Sequence, residues 1–315
     1  MSRNKTTWPV WLRRTSQSIF LVLFFYLFLE NVYHPVNQAG RGVDLFFQID
    51  PLVLVSSWLA SHQAVASLLL SLITVGVTLV AGRWFCGWIC PFGTFHNLFT
   101  ALRSARAKDK VDTGAYSRFQ QTKYYILIGL IVACVLGLNL TGWLDPFSFL
   151  YRSLATVVYP MLNDVIVWLF GSIYQADPSV GPLKVTAVSE PVYEVLRRHF
   201  LATAQPHFYG TIFIALLLGT VLFLNLYRSR FWCRYICPLG GLLGAAGKNP
   251  LVQIKQDSAT CNNCRACVAD CQGGANPDIV GGWKPSECLY CWNCHSACPN
   301  HSIKFTVRVP GEKHS

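Results

Sequence analysis

The stretches R-W-F-C-G-W-I-C-P-F-G, residues 83–93, and R-F-W-C-R-Y-I-C-P-L-G, residues 230–240, align without a gap and decide how this chain is organised. The arginine, both cysteines, the isoleucine, the proline and the final glycine coincide, and most other positions exchange one aromatic or apolar residue for another. An aspartate-proline pair recurs upstream of each, in QIDPL around Asp50 and in WLDPF around Asp145. The chain reads as two copies of span, Asp-Pro turn, span and Cys-x3-Cys-Pro, the second lengthened at roughly 160–205. Such repeats usually pack about a pseudo-twofold axis, with shared sites between the copies.

Composition sets the class. The 315 residues are 52% hydrophobic and 13% charged, against about 25% charged in an ordinary soluble domain, so a mainly α polytopic membrane protein is the expectation. No small-residue cleavage site follows the first apolar run, which therefore reads as an anchor. Crossing a hydrocarbon layer of ~30 Å takes roughly 17–25 helical residues, and four stretches qualify: 16–33, 64–82, 124–140 and 208–227. A fifth, 153–170, carries Pro160, Asn163 and Asp164 and reads as interfacial or re-entrant. Arg3, Lys5, Arg13 and Arg14 precede the first span, and Arg83, Arg103, Arg106, Lys108, Lys110, Arg118 and Lys123 separate the second from the third. Arg41 stands alone between the first two. The positive-inside rule then places both termini in the cytoplasm. The formal charge of +11 belongs to these helix ends and to anionic headgroups, not to nucleic acid.

Cys261, Cys264, Cys267 and Cys271 form C-x2-C-x2-C-x3-C, and Cys288, Cys291, Cys294 and Cys298 repeat it with Pro299 behind. Two-cluster bacterial ferredoxins use this pattern for two [4Fe-4S] clusters, the fourth cysteine of each run crossing to the other cluster. One cluster then takes Cys261, Cys264, Cys267 and Cys298; the other takes Cys288, Cys291, Cys294 and Cys271. Zinc would ask for two separated C-x2-C pairs and leave half the cysteines unexplained. Gln272, where proline usually follows, is a departure that removes no ligand.

Cys86 with Cys90, and Cys233 with Cys237, stand four apart, on one face of any helix that carries them. Their tryptophan, tyrosine and arginine neighbours suit a membrane interface. Three uses remain open: a further iron-sulfur cluster shared by the four thiolates, dithiol-disulfide cycling, or packing of a helix end, which fits Cys134 better. The eight histidines do not pair inside facing spans, which disfavours haem b, and no Gly-x-Gly-x-x-Gly opens a helix after a strand.

In these combined motifs the chain resembles the NapH/NosR-type membrane ferredoxins over most of its length. The resemblance implies a quinol dehydrogenase component of a bacterial inner-membrane respiratory system, passing electrons between the quinone pool and a periplasmic or membrane redox partner. NosR-like proteins add a periplasmic flavin region, which is not expected ahead of a span that begins so soon after Met1; CcoG-like proteins add a C-terminal domain, not expected before Ser315. The alternative is an accessory protein that reduces or inserts metal during maturation of another enzyme. The domains expected are a membrane part at 1–248, with repeats at about 16–110 and 120–248, and a small α+β ferredoxin-like tail at 249–315. The loop at 150–206, with Asp164, Asp177, Glu190 and Glu194, is long enough to dock a partner. Asp50 and Asp145 are read as helix caps, with uptake of a quinol proton as the second role.

Overall fold

The structure is a computed structural model that describes residues 7–33, 44–62, 66–101, 107–176, 179–180, 183–184, 186–199, 201, 210–278 and 282–307. Arg3, Lys5, Arg41, Arg103, Arg106 and Asp177 lie outside them. The first half runs α1 (Trp8–Tyr33), α2 (Asp44–Gln48), α3 (Pro51–Ser61), α4 (Ser71–Ala81), α5 (Trp84–Trp88) and α6 (Pro91–Ala101), followed by α7 (Ala107–Gly114). The second runs α8 (Thr122–Val135), α9 (Thr141–Leu144), α10 (Pro146–Ser153), α11 (Tyr159–Ala176), the strand pair β1 (Ser179–Val180) and β2 (Leu183–Lys184), α12 (Thr186–His199), α13 (Thr211–Tyr227), α14 (Phe231–Tyr235) and α15 (Pro238–Ala246). The tail holds β3 (Val252–Gln256), α16 (Ala266–Ala269), α17 (Asn293–Ala297) and β4 (Ile303–Val307).

The repeat shows in how helices begin. α3 and α10 both start at Asp-Pro, where proline at the first position supplies the helical φ and aspartate accepts an otherwise orphan amide. Leu52 N donates to Asp50 Oδ1 at 2.7 Å and Ser148 N to Asp145 Oδ2 at 2.8 Å. α15 starts at Cys-Pro in the same manner, with the Gly240 amide on Cys237 Sγ at 3.3 Å, and Gly93 N–H makes the matching bond to Cys90.

Among the described residues, two helices are long and apolar enough to cross a membrane, Trp8–Asn31 and Pro146–Ala176. The second runs without interruption through 153–170, which corrects the reading of a break there. Pro160 lacks an N–H for the preceding turn, and the helix absorbs this in a π-helical turn, Leu154–Val158, without stopping. The described residues of the other expected spans form shorter helices. Residues 64–82 contribute Ala66–Ala81 and 208–227 contribute Thr211–Tyr227, both apolar. Residues 124–140 contribute the 14-residue α8, because the chain turns at Gly137 (φ 83°) and folds back through α9, leaving Cys134 Sγ 3.8 Å from Thr141 Oγ1.

The halves meet in an aromatic core that includes Phe24, Phe46, Phe85, Phe92, Phe147 and Trp232, with Phe149 stacked on Trp232 at 4.9 Å. Beside it the repeats exchange arginines. Arg83 Nη2 donates to the Cys233 carbonyl at 3.2 Å, and Arg230 Nη1 donates to the Cys86 carbonyl at 2.9 Å. The glycine of each motif makes room: a Cβ on Gly240 would lie 2.6 Å from Arg83 Nη2, and one on Gly93 would lie 3.2 Å from Arg230 Nη1.

The tail has its own repeat. Left-handed φ recurs at Asn263 and Tyr290, at Arg265 and Trp292, and at Gly274 and His301, so the two cysteine runs follow one backbone path. β3 and β4 pair antiparallel, Val252 opposite Val307, and join the ends of the tail. The contact with the membrane part is close at Gly87, where an added Cβ would stand 2.2 Å from the Leu289 carbonyl oxygen. Gly87→Ala is expected to weaken tail docking by about 1–3 kcal/mol, the cost of overpacking a tight contact. Hydrogen exchange should show faster amide exchange at 286–292 while α1 and α13 keep their protection; unchanged exchange at 286–292 would count against the contact.

Candidate functional site

The structure places several of the tail cysteines beside one another. Cys267 has Cys298 and Cys264 as electrostatic neighbours. Cys294 has Cys291, Cys288 and Cys271 around it, and one pocket is lined by Cys271, Cys288, Cys291 and Cys294 together. Backbone amides point at the sulfurs: Asn263 N to Cys261 Sγ at 3.4 Å, Ala275 N to Cys271 Sγ at 3.2 Å and Ser302 N to Cys298 Sγ at 3.3 Å. The left-handed residues follow from this, because turning successive amides toward a common point builds an anion-binding concavity.

The donor set fits a group that shares negative charge. Burial, with Asp278 and then Cys298 and Cys264 nearby, pushes the Cys267 thiol up to about 12. Burial and the thiols of Cys291, Cys288 and Cys271 push Cys294 up as well. Cys298 is the exception. Its burial works upward, but the Ser302 amide and hydroxyl and the Asn300 and Ile303 amides outweigh it and hold the thiol below its ordinary range. Among the described residues, no three His, Cys, Asp or Glu side chains are grouped tightly enough to hold a single metal ion.

Cys86, Cys90, Cys233 and Cys237 are all buried and are electrostatic neighbours across the two halves. Cys90 and Cys237 each cap the helix that follows, sulfur accepting the amide of Gly93 or Gly240. Arg83 and Arg230 flank the group.

Residues read only as interfacial cations, or not singled out at all, join this group to the tail. Glu287, 2% exposed and next to Cys288, accepts from Lys123 Nζ, from Arg83 Nη1 at 3.3 Å, Gln120 Nε2 at 3.1 Å and Tyr124 Oη at 3.1 Å. Trp88 Nε1 donates to the Tyr290 carbonyl at 3.0 Å. Arg13 reaches from α1 to Asn293 Oδ1 at 3.1 Å and Gln272 Oε1 at 3.4 Å. Arg234 donates to the Thr113 and Ala115 carbonyls at 2.8 and 2.7 Å. The available sequence signal was the acid beside the first cysteine of the second run, together with the arginine kept in both repeats.

Asp50 and Asp145 cap their helices as expected, and both are 0% exposed. They are also electrostatic neighbours of each other, and Asp50 Oδ2 and Asp145 Oδ1 receive no hydrogen bond among the described residues. Asp164, Glu190 and Glu194 are exposed on α11 and α12.

Comparison with known proteins falls on the same features. The family described as "4Fe-4S binding domain" matches residues 63–108 and 209–256, the two segments that carry Cys86, Cys90, Cys233 and Cys237. The ferredoxin-type protein NapH of Haemophilus influenzae is 25% identical over 94% of this chain and 88% of its own. The putative electron transport protein YccM of Escherichia coli is 25% identical over 98% of this chain and 77% of its own. The regulatory protein NosR of Pseudomonas aeruginosa is 28% identical over 70% of this chain, which is 24% of NosR. No solved structure matches. The resemblance to NapH/NosR-type ferredoxin proteins therefore holds over most of the chain.

Glu287→Ala should strand Arg83 and Lys123 as buried, unpaired cations, at about 3–5 kcal/mol. Thermal unfolding in detergent should drop accordingly, and Glu287→Gln, which keeps one acceptor, should fall between. A wild-type melting temperature in Glu287→Ala would show that the network contributes nothing.

Proposed function

Taking the chain as a relative of the NapH-type ferredoxins, we propose that it is an electron-transfer protein of the bacterial inner membrane linking the quinol pool to a redox partner protein. In this reading the two tail sets hold [4Fe-4S] clusters, and Cys86, Cys90, Cys233 and Cys237 hold a further iron-sulfur cluster between the repeats. Bound clusters supply one-electron transfer. The chain supplies the ligands, the amides that stabilise sulfur, and the arginines that offset charge.

The observation that carries the proposal is the convergence of four buried thiols from both repeats, each second cysteine capping a helix, directly under the tail. Trp88 ties that group to Tyr290, beside Cys291, and Arg13 ties α1 to the same loop. Sidedness is supported by the docking contacts. The start of α1 (Arg13), the segment after α4 (Arg83), the start of α8 (Lys123) and α14 (Arg234) all touch the tail or the loop that packs with it. These contacts support a reading in which the beginning of α1 and the tail share one side with an even number of crossings between them, and the concentration of Lys and Arg there supports the cytoplasm as that side. The carboxyl pair of Asp50 and Asp145 gives a place for a proton released on quinol oxidation.

The stretch shared with NosR favours a second reading, support of another metalloenzyme's assembly. That reading requires the target enzyme to lack its metal when this gene is lost, with electron flow to already mature enzyme continuing.

Replacing Cys86, Cys90, Cys233 and Cys237 together with serine tests the first reading. Anaerobic iron and acid-labile sulfide should fall by one cluster equivalent, from about twelve irons to about eight, and quinol should no longer reduce the tail clusters. Unchanged iron with unchanged quinol-driven reduction, followed by electron paramagnetic resonance, would remove the bridging role of these thiols.

A further inference from the structure

Three features that the electron path does not use coincide at one place. α1, the π-helical turn and α12 enclose a cavity of about 360 Å³, within the range of small-molecule sites. Its walls are apolar, Phe25 and Phe28 from α1, Leu154 and Val158 from the π turn and Leu196 from α12. Into this wall Asn163 brings an amide. It is 7% exposed, and its Oδ1 receives no hydrogen bond among the described residues. A buried acceptor without a donor costs about 1–3 kcal/mol, so its place in an apolar cavity needs a reason. The π turn is the second feature, since single π turns in α-helices occur frequently at functional sites. Pro160, between the π turn and Asn163, supplies no backbone N–H to satisfy a carbonyl nearby.

We propose that this cavity is the binding site for a prenylated hydroquinone, with Asn163 Oδ1 accepting one phenolic O–H. This rests on the quinol reading above and names the site that reading lacks. The chemistry selects the ligand class. A flat apolar ring suits the aromatic and aliphatic walls, a hydroxyl donor satisfies the amide, and an acyl chain would leave Asn163 as it is. Leu162 lines the cavity while half exposed, next to exposed Val165 on the same helix, so a prenyl tail leaves toward lipid. The position also suits delivery to the thiols. Gln17 holds the Gly87 carbonyl between Cys86 and Cys90, and Phe28 lies roughly 16 Å further along α1 at ~1.5 Å per residue. The Asp50–Asp145 pair belongs to the core between, where Phe46 touches both Phe24 and Phe147.

The test uses the full chain in lipid nanodiscs with a decyl-substituted benzohydroquinone bearing a photoactivatable group. Cross-links should fall on α1 near Phe25–Leu29 and on 154–166. Asn163→Leu, which suits an apolar wall and should raise rather than lower the thermal unfolding temperature of the unliganded protein, should weaken binding on the order of tenfold, the loss of one hydrogen bond. A decylbenzene probe without hydroxyls should bind wild type and Asn163→Leu equally. Leu154→Trp, which fills the cavity, should abolish labelling of 154–166. Labelling confined to other helices, or equal hydroquinone binding in wild type and Asn163→Leu, would overturn the site, and the quinol reading would survive if hydroquinone still reduced the clusters. Wild-type protein that neither binds hydroquinone nor is reduced by it would overturn both.

Discussion

The fold depends on an exchange of buried cations between its two halves. Arg83 and Arg230 occupy equivalent positions, and each donates to the carbonyl of the first cysteine in the opposite motif. A buried guanidinium left unpaired is costly, so neither half satisfies its own arginine without the other. The constraint explains spacing as well as composition. The arginine must sit one turn before the first cysteine, and the glycine two residues after Pro91 or Pro238 must lack a side chain because the opposite arginine passes there. Closing the two halves in this manner brings four thiols together.

Onto this near-symmetric platform the tail binds asymmetrically, and the sequence departs from its repeat where the tail touches. Gly87 and Arg234 are equivalent positions in the two motifs. Glycine lets the Leu289 carbonyl approach, while arginine reaches the Thr113 and Ala115 carbonyls and lies against Gly274. Glu287 then completes the charge balance begun by Arg83, adding Lys123. Removing either partner from such a buried network leaves an uncompensated charge, so docking and the integrity of the membrane part are coupled.

α1 works as a scale along which the functional parts are ordered. Arg13 meets the tail, Ser16 and Gln17 hold the Trp88 and Gly87 carbonyls, Phe24 meets the aromatic core, and Phe28 packs on Tyr151 and Tyr159. One straight helix can do this because its apolar run contains no proline after Pro9 and no glycine, so its rise is uniform. Order along α1 thus runs from tail loop to thiol group, aromatic core and apolar cavity.

The sequence by itself determined the membrane class, the two repeats and the roles of Asp50 and Asp145 as caps. These are properties of local spacing and periodicity, which survive without knowledge of the neighbours. It misjudged residues 153–170, because a proline and two polar residues in an apolar run read locally as a break; only the packing of α1 and α12 around a π turn shows a continuous helix. It gave no sign that Glu287 is a buried anchor, that Asp50 faces Asp145, or that Arg83 and Arg230 serve each other's half. Those facts are contacts between residues distant along the chain, and which buried charge finds which partner is decided only when the halves and the tail close together.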